Sequence, residues 1–429
     1  MLVTANRITA IVRLLGLKPG EFFAVAWSFV YFFSLLSAYY MLRSVREAMA
    51  IMGGTQNIPW LFTGTFVAML LVTPVFGFVA SRYPRKKFLP WVYYFFIFNI
   101  LIFFSLFTYV LRNDLESVWI ARAFFVWLSV FNLFVVSVFW SFMADIFSPA
   151  QGRRLFGVIA AGGSAGAIIG PASTAFLGPI IGTWNMTLVS AGLLGLSLVC
   201  LLRLMKWRRG NAPATQQPKV IGGSAWAGAT LLLRSPFLAG LAGMVILMTF
   251  LQSIMYVQQI ALVGEHYGDN DPTRFFALVD TATNVLSVTL QLFVTGHLLR
   301  WLGAGKTLMI MPAITVLAFL VLAIAPGMVM IGVIQVIRRS GEYGLMKPAR
   351  DLLYTSVDDE RKYKVKNFID TFVYRGGDVS STWIYHLLNS TLGLSLTMIA
   401  ALMVPLTVGW TWLSGSLGRT FEQRVKPPG

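Results

Sequence analysis

The chain has 429 residues, 57% of them hydrophobic and 12% charged, and a formal net charge of +17. That apolarity excludes a soluble core and reads as an all-α membrane protein, while the lone Cys200 excludes an intrachain disulfide framework. Three histidines without metal-ligand spacing give no metal site, so neither metal nor cofactor is expected and no catalytic residue is assigned.

Arg7, Arg13 and Lys18 precede the first apolar run, which is too long for the apolar region of a signal peptide and has no small-residue cleavage site. It is expected to remain as the first span. The segment from Arg7 to Leu17, like that from Ser224 to Leu233, reads either as a short amphipathic helix along the cytoplasmic interface or as frayed linker. Twelve transmembrane helices are expected, at about 21–50, 58–80, 88–111, 117–146, 155–178, 184–204, 236–264, 272–300, 305–325, 327–355, 365–388 and 393–415. The polar stretch from Lys206 to Gly223 is rich in Pro, Gly and Gln and predicts a cytoplasmic linker over 206–223, between six-helix halves 1–205 and 224–429.

Basic residues fall in alternate loops, which accounts for the net charge without a nucleic-acid partner. They occupy the N-terminus, the loops with Arg82 to Lys87, Arg153 and Arg154, the linker, Arg300 and Lys306, Arg361 to Lys366, and the C-terminus. The opposite loops hold only Arg112 and Arg274. The positive-inside rule then predicts that both termini are cytoplasmic, with the chain in a bacterial inner membrane.

The halves echo each other in two of these loops. Gly77 with Arg82 and Lys87, after the second span, corresponds to Gly296 with Arg300 and Lys306, after the eighth. The pattern resembles the cytoplasmic loop motif of the major facilitator superfamily, although Ser81 and Pro84 stand where that motif has aspartate and glycine. With twelve spans and a central linker it implies the major facilitator fold, a repeat of two halves. The run Gly303-Ala-Gly305-Lys306-Thr307 imitates the end of a phosphate-binding loop, but no strand precedes it, and it reads as a loop between spans.

Gly162, Gly166 and Gly170 recur every four residues in the fifth span and predict the close approach of a neighbouring backbone; Gly376 and Gly377 in the eleventh are read the same way. Polar residues at helical spacing mark faces turned from lipid. These are Tyr39, Arg43, Arg46 and Glu47 in the first span, Gln252, Tyr256 and Gln259 in the seventh, Asp280, Asn284, Ser287 and Gln291 in the eighth, and Asp370, Tyr374, Gly377, Ser381 and Tyr385 in the eleventh. From Ile334 to Asp378 the chain carries an excess of Arg and Lys between apolar runs, with Arg338, Arg339, Glu342, Arg375 and Asp378 nearest the midplane. Charges at that depth persist where they pair or line a wet cavity. The alternatives are ion pairs between helices and a seat for an anion, and the excess of cations favours the second.

A second resemblance is more specific. Tyr40-Met-Leu-Arg43-Ser-Val-Arg46-Glu47, followed by Gly53-Gly54 and Ile58-Pro59-Trp60-Leu61, resembles the first-to-second helix signature of the ADP,ATP carrier family of plastids and intracellular bacteria. Tyr343-Gly-Leu345-Met-Lys347-Pro348-Ala-Arg350-Asp351 and Lys366-Asn-Phe-Ile369-Asp370 resemble two further segments of that family, in the second half. The resemblance implies exchange of nucleotides across a membrane. One departure bears on coupling: the family has an acidic residue inside its fourth span, and the stretch from Trp127 to Trp140 has none.

The function expected is secondary active transport of an anionic, phosphorylated solute by alternating access, with ATP/ADP-type exchange as the first choice. Arg43, Arg46, Arg339 and Arg375 are the candidates for substrate oxygens, because the guanidinium fork binds phosphate bidentately, and Lys347 and Arg350 are placed on the cytoplasmic exit. Glu47, Asp280, Glu342, Asp370 and Asp378 are the candidates for charge balance or proton coupling. The alternative transporter is proton-coupled and carries another anionic or amphiphilic metabolite. An enzyme is disfavoured because no nucleophile with its base lies at membrane depth. The expected partners are the lipid bilayer and the solute, and the expected state is a monomer.

Overall fold

The computed structural model describes residues 18, 20–83, 85–211, 230–232, 235–268, 270–357, 365–366 and 368–425. The expected interfacial segment from Arg7 to Leu17, residues 224–229 and 233 of that from Ser224 to Leu233, linker residues 212–223 and the basic residues Arg361, Lys362 and Lys364 lie outside the described residues. All regular structure among the described residues is helical. The elements are α1 (Phe22–Met52), α2 (Ile58–Arg82), α3 (Arg85–Arg112), α4 (Val118–Ile146), α5 (Pro149–Ile181), α6 (Asn185–Asn211) and α7 (Pro236–Tyr267). They continue with α8 (Thr273–Thr289), α9 (Gly296–Ile324), α10 (Met328–Gly341), α11 (Lys347–Leu353), α12 (Tyr374–His386) and α13 (Leu396–Val425).

Among the described residues, nine helical stretches are long and apolar enough to cross a membrane. In hydrocarbon each backbone N–H and C=O must be satisfied within its own segment, so apolar runs of this length become helices. One stretch, Thr273–Ile324, passes through Gly303, whose φ of 76° and ψ of 172° break the helix. The expected loop between the eighth and ninth spans lies there, and the look-alike of a phosphate loop is this helix junction. The expected tenth and eleventh spans are helical over 328–356 and 369–391 but are too polar to be among the nine. The fifth helix is longer than its apolar core suggests. Pro149 opens it at a position that needs no N–H, and Ser148 and Gln151 bond each other's backbone N–H groups in a capping box.

The chain forms two compact units, the first made of Met1–Gly53, Val67–Pro218 and Thr273–Thr281, the second of Gly54–Phe66, Lys219–Pro272 and Ala282–Gly429. The lead-in to α2 thus belongs with helices from the second half of the sequence, and the first turns of α8 belong with helices from the first.

In the first unit α1 is the central helix, packed on α4, α5 and α6. The expected glycine ladder sits on this contact. Gly162, Gly166 and Gly170 of α5 face the backbone carbonyls of Phe29, Phe33 and Ser37, and a Cβ on Gly170 would stand 2.6 Å from the Ser37 oxygen. Helices in lipid gain no hydrophobic energy from meeting, so they associate through such close packing and a few polar bonds. The bonds are present: Ser34 and Ser197 share a hydrogen bond of 2.8 Å, Ser190 donates to the Ala38 carbonyl at 2.9 Å, and the hydroxyls of Tyr31 and Tyr93 bond each other. Phe32 stacks on Phe139 with ring centroids 4.1 Å apart.

In the second unit α7 packs on α12 and α13, and α9 on α13. A Cβ on Gly305 would stand 2.9 Å from the Gly418 Cα, a close approach that the sequence reading passed over. Of the expected pair in the eleventh span, Gly377 lies against the Thr249 side chain, whereas Gly376 faces open space. Four π-helical turns, Leu290–Thr295, Glu342–Met346, Ile369–Val373 and Leu387–Thr391, interrupt the helices of this unit. Each shifts the helical register, and such turns are frequent at functional sites. The expected polar face of the eighth span holds for the buried Asp280, Asn284 and Ser287 but not for Gln291, which lies in the first of these turns and is exposed. Its side-chain amide donates to the Tyr343 carbonyl at 3.1 Å instead.

Candidate functional site

The first unit gathers Arg43, Arg46, Glu47 and Asp280 into one cluster. Arg43 and Glu47 are one turn apart on α1, and Asp280 comes from the first turns of α8, which belong to the same unit. The Glu47 carboxylate accepts from Arg46 Nη2 at 2.6 Å and lies 3.8 Å from Arg43 Nε, while Asp280 Oδ2 is 3.7 Å from the same Nε. Arg46 also donates to Ser129 Oγ at 3.3 Å and lies over the Phe125 ring, and Arg43 lies over the Tyr40 ring. Glu47 and Asp280 are almost fully buried, and the side chains of both arginines are 15% exposed. Two guanidinium groups and two carboxylates make the cluster formally neutral as it stands. Ser129 is a member that the sequence reading missed; it lies where the apolar α4 turns toward α1, and its small hydroxyl gave no periodic signal.

The second unit holds two smaller groups. Arg338 donates through Nη2 and Nε to Gln335 Oε1, at 2.7 and 3.1 Å, and through Nη1 to Glu342 Oε2 at 3.4 Å. Arg338 and Glu342 border a cavity of about 10 Å³, no larger than a single water needs, shared with Gln252, Thr315 and Trp410. Asp378, buried on α12, accepts from Ser253 Oγ of α7 at 2.9 Å and lies 3.7 Å from Arg375 Nη1. Arg338, not the neighbouring Arg339, is thus the buried member of the Arg–Arg pair, and Arg339 is half-buried. Consecutive helical residues point about 100° apart, so adjacency in sequence gave no way to choose between them.

The remaining site candidates separate. Lys347 and Asp370 are exposed, and Arg375 is half-exposed. Lys366 pairs with Asp351 at 2.8 Å. Arg350, on the seven-residue helix α11, is buried at 9% exposure, and among the described residues its Nη1 meets only the Met248 sulfur, 3.8 Å away. No carboxylate among the described residues lies within ion-pair reach of it. A thioether is a weak acceptor for a cation, so among the described residues Arg350 is a buried guanidinium without an ion-pair partner.

Residues 22–356 match the Major Facilitator Superfamily. The chain belongs to that family. It is an integral membrane transporter of the major facilitator type. The ADP,ATP carrier protein 1 of Chlamydia muridarum is 23% identical over 88% of this chain and 86% of its own length, and that of Chlamydia trachomatis is 22% identical over 92% and 88%. Among solved structures the major facilitator fold is shared with the nucleoside transporter NupG (D323A mutant), at a TM-score of 0.64 and 12% identity over 93% of this chain and 99% of the other. It is shared equally with a bacterial homologue of the iron transporter ferroportin in an inward-facing state, at a TM-score of 0.65 and 13% identity over 94% and 98%. These two likenesses concern the fold alone. The superfamily resemblance read from the repeated loops and the carrier resemblance read from the first-span motif are both matched by these comparisons.

Proposed function

We propose that this transporter carries an anionic, phosphorylated solute, and that it exchanges nucleotides of the ATP/ADP type across a bacterial inner membrane. The observation that carries the reading is Arg350, a buried guanidinium without a carboxylate among the described residues. Such a charge is costly, and a phosphate oxygen satisfies it with paired, charge-assisted bonds. The likeness to carriers named for ADP and ATP supports the choice of nucleotide. Arg43, Arg46, Arg339, Arg375 and Lys347 are proposed to add further contacts as the site opens to each side in turn, and Glu47, Asp280, Glu342, Asp370 and Asp378 to balance them when it is empty.

Exchange follows from the same charge argument. A carrier whose site holds an unbalanced cation reorients poorly when empty and readily when loaded. Proteoliposomes preloaded with ADP should therefore take up labelled ATP, and empty ones should not. Arg350→Gln should lower uptake about ten- to a hundredfold, the loss of one charge-assisted bond, with the amount of folded protein unchanged. Equal uptake into empty and preloaded vesicles would reject exchange, and full activity of a folded Arg350→Gln variant would reject the site.

A second reading has its own support. Toward Arg46, α4 presents Ser129 instead of a carboxylate, and the acids Glu47, Asp280, Glu342 and Asp378 each lie beside a guanidinium group that a proton would release. In that case uptake into empty vesicles should follow an imposed proton gradient, and Asp280→Asn and Glu342→Gln should abolish the dependence.

A further inference from the structure

The second unit has a further cavity whose lining includes none of the arginines named above. It is a cavity of about 240 Å³ at the end of α7 remote from the linker, walled by the lead-in to α2, the end of α12, the π turn Leu387–Thr391 and the start of α13. Its polar lining comes from Gln56, Tyr385, His386, Asn389 and Ser390, and Val257 supplies part of an apolar wall. Among the described residues no Asp, Glu, Lys or Arg borders it.

The lining is built to hold something. Tyr385 is 5% exposed, and its hydroxyl is buried with no hydrogen-bond partner among the described residues, a condition that few native polar groups sustain without a ligand or an ordered water. Ser390 engages His386 Nδ1 at 3.2 Å, which leaves Nε2 as the remaining polar atom of that ring. Asn389 donates to the Leu394 carbonyl at 3.0 Å, which fixes its amide and keeps its carbonyl oxygen as an acceptor. The π turn widens the helix where Asn389 and Ser390 enter the wall. Trp383, edge-on to His386 with centroids 5.9 Å apart and bonded through its indole N–H to Thr63 Oγ1, buttresses the imidazole.

The chemistry of the occupant follows from this wall. Without a fixed charge in the lining the ligand is neutral, and a volume below the roughly 300 Å³ at which drug-sized pockets begin admits a single ring system. Two side-chain amides and a phenol offer donors and acceptors for the edge of a planar ring, and an imidazole offers a face to stack on, the combination by which proteins read nucleobases. We propose that this pocket is a second binding site, distinct from the arginine clusters, for an uncharged nitrogen heterocycle of nucleobase size. The site does not depend on phosphate recognition.

The test uses the purified full chain in detergent and saturation binding of radiolabelled adenine. Wild type should bind saturably, inorganic phosphate in large excess should not displace the label, and Arg350→Gln should bind as wild type does. Tyr385→Phe, which removes only the hydroxyl, should weaken binding about tenfold. Asn389→Ala should do the same, and it carries the test if the tyrosine variant does not fold. Absence of saturable adenine binding overturns the proposal, as does binding that a folded Tyr385→Phe and a folded Asn389→Ala leave unchanged. Displacement by glucose as effective as displacement by adenine overturns the heterocycle in favour of a polyol. Loss of adenine binding in Arg350→Gln alone would move the ligand to the arginine site, and would leave the exchange reading to be judged by its own uptake assay.

Discussion

Arg43 Nε stands 3.7 Å from Asp280 Oδ2, so a residue near the end of the first helix is paired with one near the start of the eighth, inside a single compact unit. Both side chains are largely buried, so the pair should be strongly coupled. Unfolding free energies of wild type, Arg43→Gln, Asp280→Asn and the double variant in detergent should give an interaction energy within the range of about 0.5–3 kcal/mol for contacting residues. Simple additivity of the two substitutions would show that the pair contributes nothing to holding these turns of α8.

The α1–α5 contact rests on the absence of side chains at three positions. A Cβ at Gly166 would collide with the Phe33 carbonyl, a backbone atom that cannot swing aside, whereas Gly157 on the same helix has no neighbour within 4 Å of where its Cβ would be. Gly166→Ala should lose most of the monodisperse protein on size-exclusion chromatography and Gly157→Ala should lose none, since overpacking of such a site costs about 1–3 kcal/mol or more. Equal yields would mean that the two helices can part without penalty.

Glu21 precedes α1, outside the membrane-spanning helix. Burial alone would raise the pKa of its carboxyl, but hydrogen bonds from Arg154, the Lys18 backbone N–H and Gln151 outweigh burial and hold it below the usual glutamate value. A carboxyl with a depressed folded pKa contributes stability that is present above its unfolded pKa and is lost as the pH falls through the folded one. Thermal unfolding should therefore show an acid-side loss of stability, below about pH 4.5, that is reduced in Glu21→Gln. An identical pH profile for the two proteins would remove this contact from the acid response.

Topology can be read from single cysteines, because native Cys200 is buried. Cysteines at Asn57, Asn113 and Asn270 should react with an impermeant maleimide in intact cells, and one at Thr215 in the linker should react only after lysis. Labelling of Thr215→Cys in intact cells would invert the orientation.

Much of the fold was legible in residue order because the bilayer leaves little choice. A long apolar run has one way to satisfy its backbone, and glycines at four-residue spacing in α5 have no better use than close packing, which is where they are found. The carrier-like motif likewise picked out Arg43, Arg46 and Glu47 before their contact was seen. The partners of these charges were not legible. Asp280 joins Arg43 only because the first turns of α8 pack with helices from the first half of the sequence, and no periodicity within either segment encodes that. Arg338 and Arg339 are equivalent in a string of letters, and the choice of which is buried against Gln335 and Glu342 was made by the helices around them. Gln291 lies inside the π turn Leu290–Thr295, is exposed and donates to the Tyr343 carbonyl, and the helical spacing of the segment carries no sign of that turn. Composition and period picked out the long apolar helices and most of their polar faces. The meeting of side chains from distant segments, which decides whether a buried charge is balanced or left for a ligand, is a property of packing in three dimensions, and only the tertiary structure decided it.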